Sequence, residues 1–187
     1  MSGDPARRQA TYEDLLALPE HVVGEIVDGE LHTSPRPASR HARASSRLGE
    51  RIGGPFDSGR AGPGGWIILD EPELHLRRDV LVPDLGGWRR ERMPEMPDTP
   101  AFTLAPDWVC EVLSPSTSRL DRAAKRPVYA RERVTHLWLI DPIAQTLEVF
   151  RLDGEGYRLV DTYAGDAVIE AEPFAAVPLE LGALWER

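Results

Sequence analysis

The sequence predicts a mixed α/β (α+β) fold: a central mixed β-sheet flanked by helices, with an N-terminal β-hairpin. Three observations carry this. Short apolar runs bounded by Gly, Pro and Asp recur along the 187 residues, and such runs are the signature of strands. Two stretches of helical length, 38–52 and 118–132, lie between them, so strands and helices interleave. Hydrophobic residues make up 41% of the chain, enough to bury a core at this size. Residues 1–10 are expected to form a flexible N-terminus and 11–187 a single domain.

The first element opens at Thr11-Tyr12-Glu13-Asp14, which reads as a capping box, and a short helix should run from there to about Leu18, closed by Pro19. The stretch 22–27 reads as a strand turned at Asp28-Gly29 into a second strand over 30–33, a hairpin. After Pro35 and Pro37 the run 38–52 has helical length and a Gly53-Gly54 stop. Trp66-Ile67-Ile68-Leu69 suits a buried strand, and strand signals continue over 73–76 and 79–85. Four prolines between 89 and 106 exclude a regular element there. Residues 107–113 form the next strand and 118–132 a helix with a second capping box at Ser118–Asp121. Leu120, Ala124 and Val128 make its apolar stripe, and Pro127 should kink or interrupt it. A strand over 136–140 and a hairpin over 147–163, turned at Asp153-Gly154-Glu155-Gly156, complete the sheet. The apolar residues beyond, Trp185 among them, are free to cover a sheet edge or a partner.

Composition narrows the function. The net charge of −9 argues against general polyanion binding, which depends on Lys and Arg neutralising phosphates. Any nucleic-acid contact must be local, and Arg36, Arg40, Arg43 and Arg47, or Arg119, Arg122 and Arg126, are the clusters available to make it. Cys110 is the only cysteine, so neither a disulfide framework nor a cysteine-built zinc site forms within the chain, and the cytoplasm is the expected location. No apolar run is long enough for a membrane span.

Chemistry-bearing residues emerge from strand alternation. In the run 107–113, Val109, Glu111 and Leu113 share one face and Trp108, Cys110 and Val112 the other. Glu111 thus points where its neighbours are apolar, and a carboxylate there needs a cation, a donor set or a proton. An ion pair with one of the arginines satisfies that need as well as a functional role does. Asp84 ends an apolar strand just after Pro83; alone it reads as a turn residue or cap. Two carboxylates from neighbouring strands nevertheless suit Mg²⁺, which takes a few protein oxygens and fills its other positions with water and phosphate oxygens. Lys125, the only lysine, stands four residues after Asp121, the spacing of an ordinary surface pair. Glu25 on the first hairpin reads alone as a solvent-face residue. His41 reads as a structural histidine, a phosphate donor or a base. The segment 114–118 suggests turns and caps, and no Gly-x-Ser-x-Gly elbow or phosphate loop is present.

Six segments in order, Tyr12-Glu13-Asp14-Leu15-Leu16, 25–31, Val82-Pro83-Asp84-Leu85, 111–117, 121–129 and 136–142, resemble the Uma-two family of restriction-endonuclease-like bacterial proteins, a branch of the PD-(D/E)XK nuclease superfamily. The resemblance runs from about Thr11 to Leu152. It implies a restriction-endonuclease-like fold and a metal-dependent phosphodiesterase acting on nucleic acid, with DNA the expected substrate. It implies Mg²⁺, with Mn²⁺ as a substitute, held by Asp84, Glu111 and the main-chain carbonyl of Val112. Catalytic roles fall to Asp84, Glu111, Lys125 and Glu25. The departure is at Leu113, two residues after Glu111, where the superfamily carries lysine; Lys125 resembles that lysine relocated to the following helix. The resemblance also implies a homodimer. The competing expectation is a catalytically silent protein that keeps the nuclease-like fold and works as a dimeric binding or regulatory module. The net negative charge and the leucine at 113 favour it.

Overall fold

The computed structural model describes residues 8–186. Of the N-terminal stretch expected to be flexible, residues 1–7 lie outside the described residues. Arg8 pairs with Asp14 at 2.7 Å, and the amide of Ala10 donates to the carbonyl of Gly29 at 2.8 Å. Helix α1 (Tyr12–Leu16) opens with the expected capping box, the amide of Thr11 donating to Asp14 at 2.8 Å. Strands β1 (Val22–Val27) and β2 (Glu30–Pro35) form the hairpin in the expected register. Asp28 and Gly29 both take positive φ, 50° and 79°, the conformation a two-residue hairpin turn requires and an Asp-Gly pair tolerates.

Helix α2 (Ser39–Ile52) does not stop at Gly53-Gly54 as expected. It continues as a widened turn over Gly53–Asp57, in which the amide of Ser58 reaches back five residues to Gly53 at 3.0 Å. Pro55 explains the widening, because a five-residue hydrogen-bond spacing passes over an amide that proline lacks. The expected helix 118–132 is likewise two pieces, a widened turn over Leu120–Lys125 and then α3 (Arg126–Arg131). Pro127 follows that wide turn. The predicted cap at Ser118 does not form, since Asp121 turns inward instead.

The strand expected over 79–85 is also divided. Strands β3 (Trp66–Asp70), β4 (Leu74–Leu76), β5 (Asp79–Leu81) and β6 (Leu85–Arg89) follow in order, and the chain leaves one sheet for another at Val82-Pro83-Asp84. Pro83 has no ladder donor to offer. The remaining strands are β7 (Trp108–Val112), β8 (His136–Asp141), β9 (Thr146–Asp153), β10 (Gly156–Ala164), β11 (Val168–Ile169) and β12 (Leu179–Glu180), followed by α4 (Gly182–Trp185). The main sheet is mixed, in the order β10-β9-β8-β7-β6-β3, with β7 and β8 its parallel pair. A four-stranded antiparallel sheet, β2-β1-β5-β4, holds the hairpin.

Alternation along β7 distributes side chains as expected. Trp108, Cys110 and Val112 pack with Ala44, Leu48 and Ile52 of α2, while Val109 and Leu113 pack with Val128, Tyr129 and the smaller sheet. Phe174 lies 4.8–5.6 Å from the rings of Phe56, Trp66, Trp108 and Trp138. The C-terminal segment therefore covers a sheet face. A Cβ at Gly87 would sit 3.1 Å from the ring of Trp108, so that buried ring would have to give by a few tenths of an ångström. Among the described residues no helix is long and apolar enough to cross a membrane.

Burial, assisted by Arg151 and Arg89, lowers the pKa of His136 to about 4, against about 6.5 in the unfolded chain. The unfolded state therefore binds the extra proton first. Stability is complete above about pH 6.5 and falls as pH drops toward 4, by on the order of 2 kcal/mol for a partly exposed ring. Urea midpoints measured between pH 7 and 4 should show that slope, and His136→Gln should flatten it.

Candidate active site

The break at Pro83 fixes Asp84 where the two sheets meet. Its Oδ2 accepts the amide of Val112 at 2.7 Å, which ties it to the end of β7. Its Oδ1 lies 3.1 Å from Nε2 of His41, on the first turn of α2. Glu111 projects from β7 on the Val109–Leu113 face and is 2% exposed. Glu25 reaches the same point from β1, its Oε1 accepting the amide of Val82 at 2.9 Å. That bond satisfies the backbone just before the proline, so one carboxylate both stabilises the sheet crossing and enters the site.

Lys125 arrives from the widened turn and is 3% exposed. Its Nζ lies 2.9 Å from Glu25 Oε1, 3.0 Å from Asp121 Oδ1 and 3.2 Å from Glu111 Oε1. The hydroxyl of Tyr129 donates to Glu111 Oε1 at 2.5 Å. Glu25, Asp84, Glu111, Asp121, Lys125 and His41 all line one cleft of about 260 Å³, together with Val112 and the 114–117 turn. Ser114 and Thr117 bond each other's backbone amides there, which matches the turn role read from sequence.

Several single-residue readings are corrected by this arrangement. Glu111 pairs with the lone lysine and not with an arginine. Asp121 and Lys125 form a buried pair where their spacing suggested a surface one, and Glu25 is buried at 6% exposure, not on a solvent face. Leu113, 3% exposed, is a core residue. An amine there would have to displace apolar packing, whereas Lys125 brings one to Glu111 from the opposite layer.

The electrostatics are unbalanced toward the acids. Burial pushes the Glu111 carboxyl well above the usual carboxylate range; Lys125 pulls it back only in part, and Asp121, Glu25 and Asp84 push it further. Burial works against the charged form of Lys125, but Glu111, Glu25 and Asp121 overcome it and hold the amine protonated. Burial also opposes His41 protonation, yet the hydrogen bond and charge of Asp84 raise its pKa overall. Carboxylates of Glu25, Glu111 and Asp121 share one lysine, and Asp84 faces His41, so acids outnumber the buried cations of the cleft and a further cation would be favoured there.

Of the buried polar atoms here, His41 Nδ1 makes no hydrogen bond to any described residue, whereas Asp121 Oδ1 has the Lys125 ammonium at 3.0 Å as its partner. Among the described residues no three His, Cys, Asp or Glu groups already surround one point as a cation cage. Mg²⁺ needs fewer, one or two carboxylates with water supplying the rest. The hard-oxygen donors and the crowding of carboxylates around one cleft fit such an ion. Sequence reasoning did not single out Glu71, which lines the cleft and donates its amide to the carbonyl of Asp84 at 3.1 Å. Its positive φ of 45° carries no composition signal.

The arginine clusters are mostly engaged. Arg47 pairs with Glu50, Arg122 with Glu148, and Arg126 stacks over Phe150. Arg36 reaches the carbonyl of Glu20 at 3.4 Å.

The fold is similar to that of a solved protein from Anabaena variabilis described as a "putative nuclease". The two are 24% identical, the match covers 94% of this chain and 97% of that one, and the TM-score is 0.76. At that identity the likeness carries the fold alone. No curated protein matches the chain. The sequence profile of the family described as "Putative restriction endonuclease", Uma2, matches residues 10–182. The chain belongs to the Uma2 family.

Proposed function

We propose that this protein is a divalent-cation-dependent nuclease that hydrolyses phosphodiester bonds in nucleic acid, with DNA as its substrate. The observation that carries the reading is the convergence of Asp84, Glu111, Glu25 and Lys125, from separate elements, on one cleft. Asp84 and Glu111, with the main-chain carbonyl of Val112, are the groups that would hold Mg²⁺ or Mn²⁺. Such an ion supplies Lewis-acid polarisation of a phosphate and a lowered water pKa.

The chain's own residues account for the remainder. Lys125 keeps its proton at neutral pH and offers a fixed positive charge to the phosphoryl oxygens as negative charge builds on them. Glu25 and Asp121 hold that amine from two sides, and Glu25 is itself anchored by the Val82 amide. Tyr129 fixes the rotamer of Glu111, and the Val112 amide fixes that of Asp84. Geometry of this kind is set before substrate arrives, which is the condition for electrostatic catalysis.

The test is cleavage of plasmid and linear DNA in Mg²⁺ or Mn²⁺ by the parent and by Asp84→Ala and Glu111→Ala. The expected result is a loss of at least about 100-fold in each variant, the scale of removing an electrostatic contact at a reacting centre. Variants as fast as the parent would overturn the assignment. A second reading, a binding module without turnover, is favoured by the enclosure of Lys125 Nζ among three carboxylates. Thermal unfolding separates the two. An ion specific to the native state at 100 times its dissociation constant stabilises by about 2.7 kcal/mol; the nuclease reading expects a rise in Tm that Asp84→Ala abolishes, and an unchanged Tm supports the module.

A further inference from the structure

Resting on the nuclease reading, we propose that a second cavity beside the cleft is a subsite for an unpaired nucleotide flanking the scissile phosphodiester. The two cavities open at the same end of the fold. Val112 and Ile140 are paired in parallel register, and the amide of Leu113 donates to the carbonyl of Ile140 at 2.7 Å. The carboxyl ends of β7 and β8 therefore lie side by side, the place where α/β sheets bind ligands. After β7 the chain lines the catalytic cleft with Ser114; after β8 it lines the second cavity with Pro142 and Gln145.

Helix α2 forms a wall of both. His41 faces Asp84 in the cleft, while Arg40 and Arg43 line the second cavity. A strand whose phosphate sits at Asp84 thus meets a guanidinium one residue along the same helix turn. Arg43 is steadied by its Nε donating to the carbonyl of Glu186 at 3.3 Å. Arg40 is exposed, and its side chain has no hydrogen-bond or ion-pair partner among the described residues. No acidic side chain stands in the first turn of α2, and Ala38 provides no side-chain cap, so the helix end adds to Arg40 and Arg43 in favouring an anion, against the one opposing acid among the described residues lining the cavity, Glu186.

The far wall suits a base. Trp185 is half-buried and its indole Nε1 donates to the carbonyl of Gly165 at 2.7 Å, which restrains the ring. Aromatic faces stack on nucleobases without regard to sequence, and Gln145 adds an amide able to bond a base edge. The cavity measures about 700 Å³, within the range that encloses one small ligand. A duplex does not enter a space of that size; a frayed, flipped or overhanging nucleotide does.

The experiment is fluorescence anisotropy with the full chain in EDTA, using a labelled single strand, a duplex with a single-stranded overhang and a blunt duplex. The single strand and the overhang should bind more tightly than the blunt duplex. Arg40→Ala and Arg43→Ala should each weaken those two probes about 5- to 10-fold and lower the slope of log affinity against log salt by about 1. Trp185→Leu should cost about 10-fold, and Trp185→Phe, which keeps a stacking face and the core contact, should restore most of it. Arginine variants that bind every probe like the parent, or that lose equally on blunt and overhanging DNA, would overturn the subsite. Because no cleavage is read, failure of hydrolysis with the affinity pattern intact sinks only the nuclease assignment. Intact hydrolysis without that pattern sinks only the subsite.

Discussion

Replacing Lys125 by methionine is expected to abolish hydrolysis and to cost about 3–5 kcal/mol of folding stability, the scale of breaking a buried ion pair from one side. The amine is 3% exposed and touches Glu25, Asp121 and Glu111. Without it the carboxyl groups of Glu25, Asp121 and Glu111 remain together in a space that solvates charge poorly, with no cation among them. Urea unfolding at pH 7 measures the loss. Adding Glu111→Gln to Lys125→Met should return part of the stability, because it removes one of the acids crowded there, and should return none of the activity. Stability restored together with cleavage would show that Lys125 holds the fold and leaves the chemistry to others.

Asp79→Ala is expected to destabilise by about 3–5 kcal/mol as well, from a position outside the cleft. Asp79 is fully buried, its Oδ1 accepting the amide of Asp28 at 2.6 Å and its Oδ2 pairing with Arg131. It thereby joins the turn that follows Glu25 to the helix that follows Lys125. Loss of this joint should loosen the Glu25–Lys125 contact, so kcat should fall more steeply with temperature in Asp79→Ala than in the parent. Asp79→Asn keeps an acceptor for the Asp28 amide and surrenders only the charge, and its urea midpoint should lie between the two. Equal midpoints for Asp79→Ala and the parent would show that this buried carboxylate has no mechanical part.

Local features were legible in the sequence because neighbouring residues decide them. The hairpin at Asp28-Gly29 follows from two residues that tolerate positive φ, and the faces of β7 follow from strict alternation across a pleat. Pro127 announced an interruption, but only the structure shows that the interruption is a widened turn. The division of the 79–85 segment into β5 and β6 depends on which sheet each half joins, a choice made by the long-range pairings Ile26 with Val80 and Leu85 with Cys110.

By itself the sequence determined the fold class, the family and the residue types from which a site can be made: the carboxylates of Asp84, Glu111 and Glu25 and the single lysine. Tertiary structure decided their states. Spacing alone makes Asp121 and Lys125 a surface pair and Glu25 a solvent-facing residue; burial between two sheets and a helix layer makes them parts of one low-dielectric cluster. The reason is that charge energetics depend on solvent access and on neighbours tens of residues away, and neither quantity is carried by the order of residues within a single strand or turn.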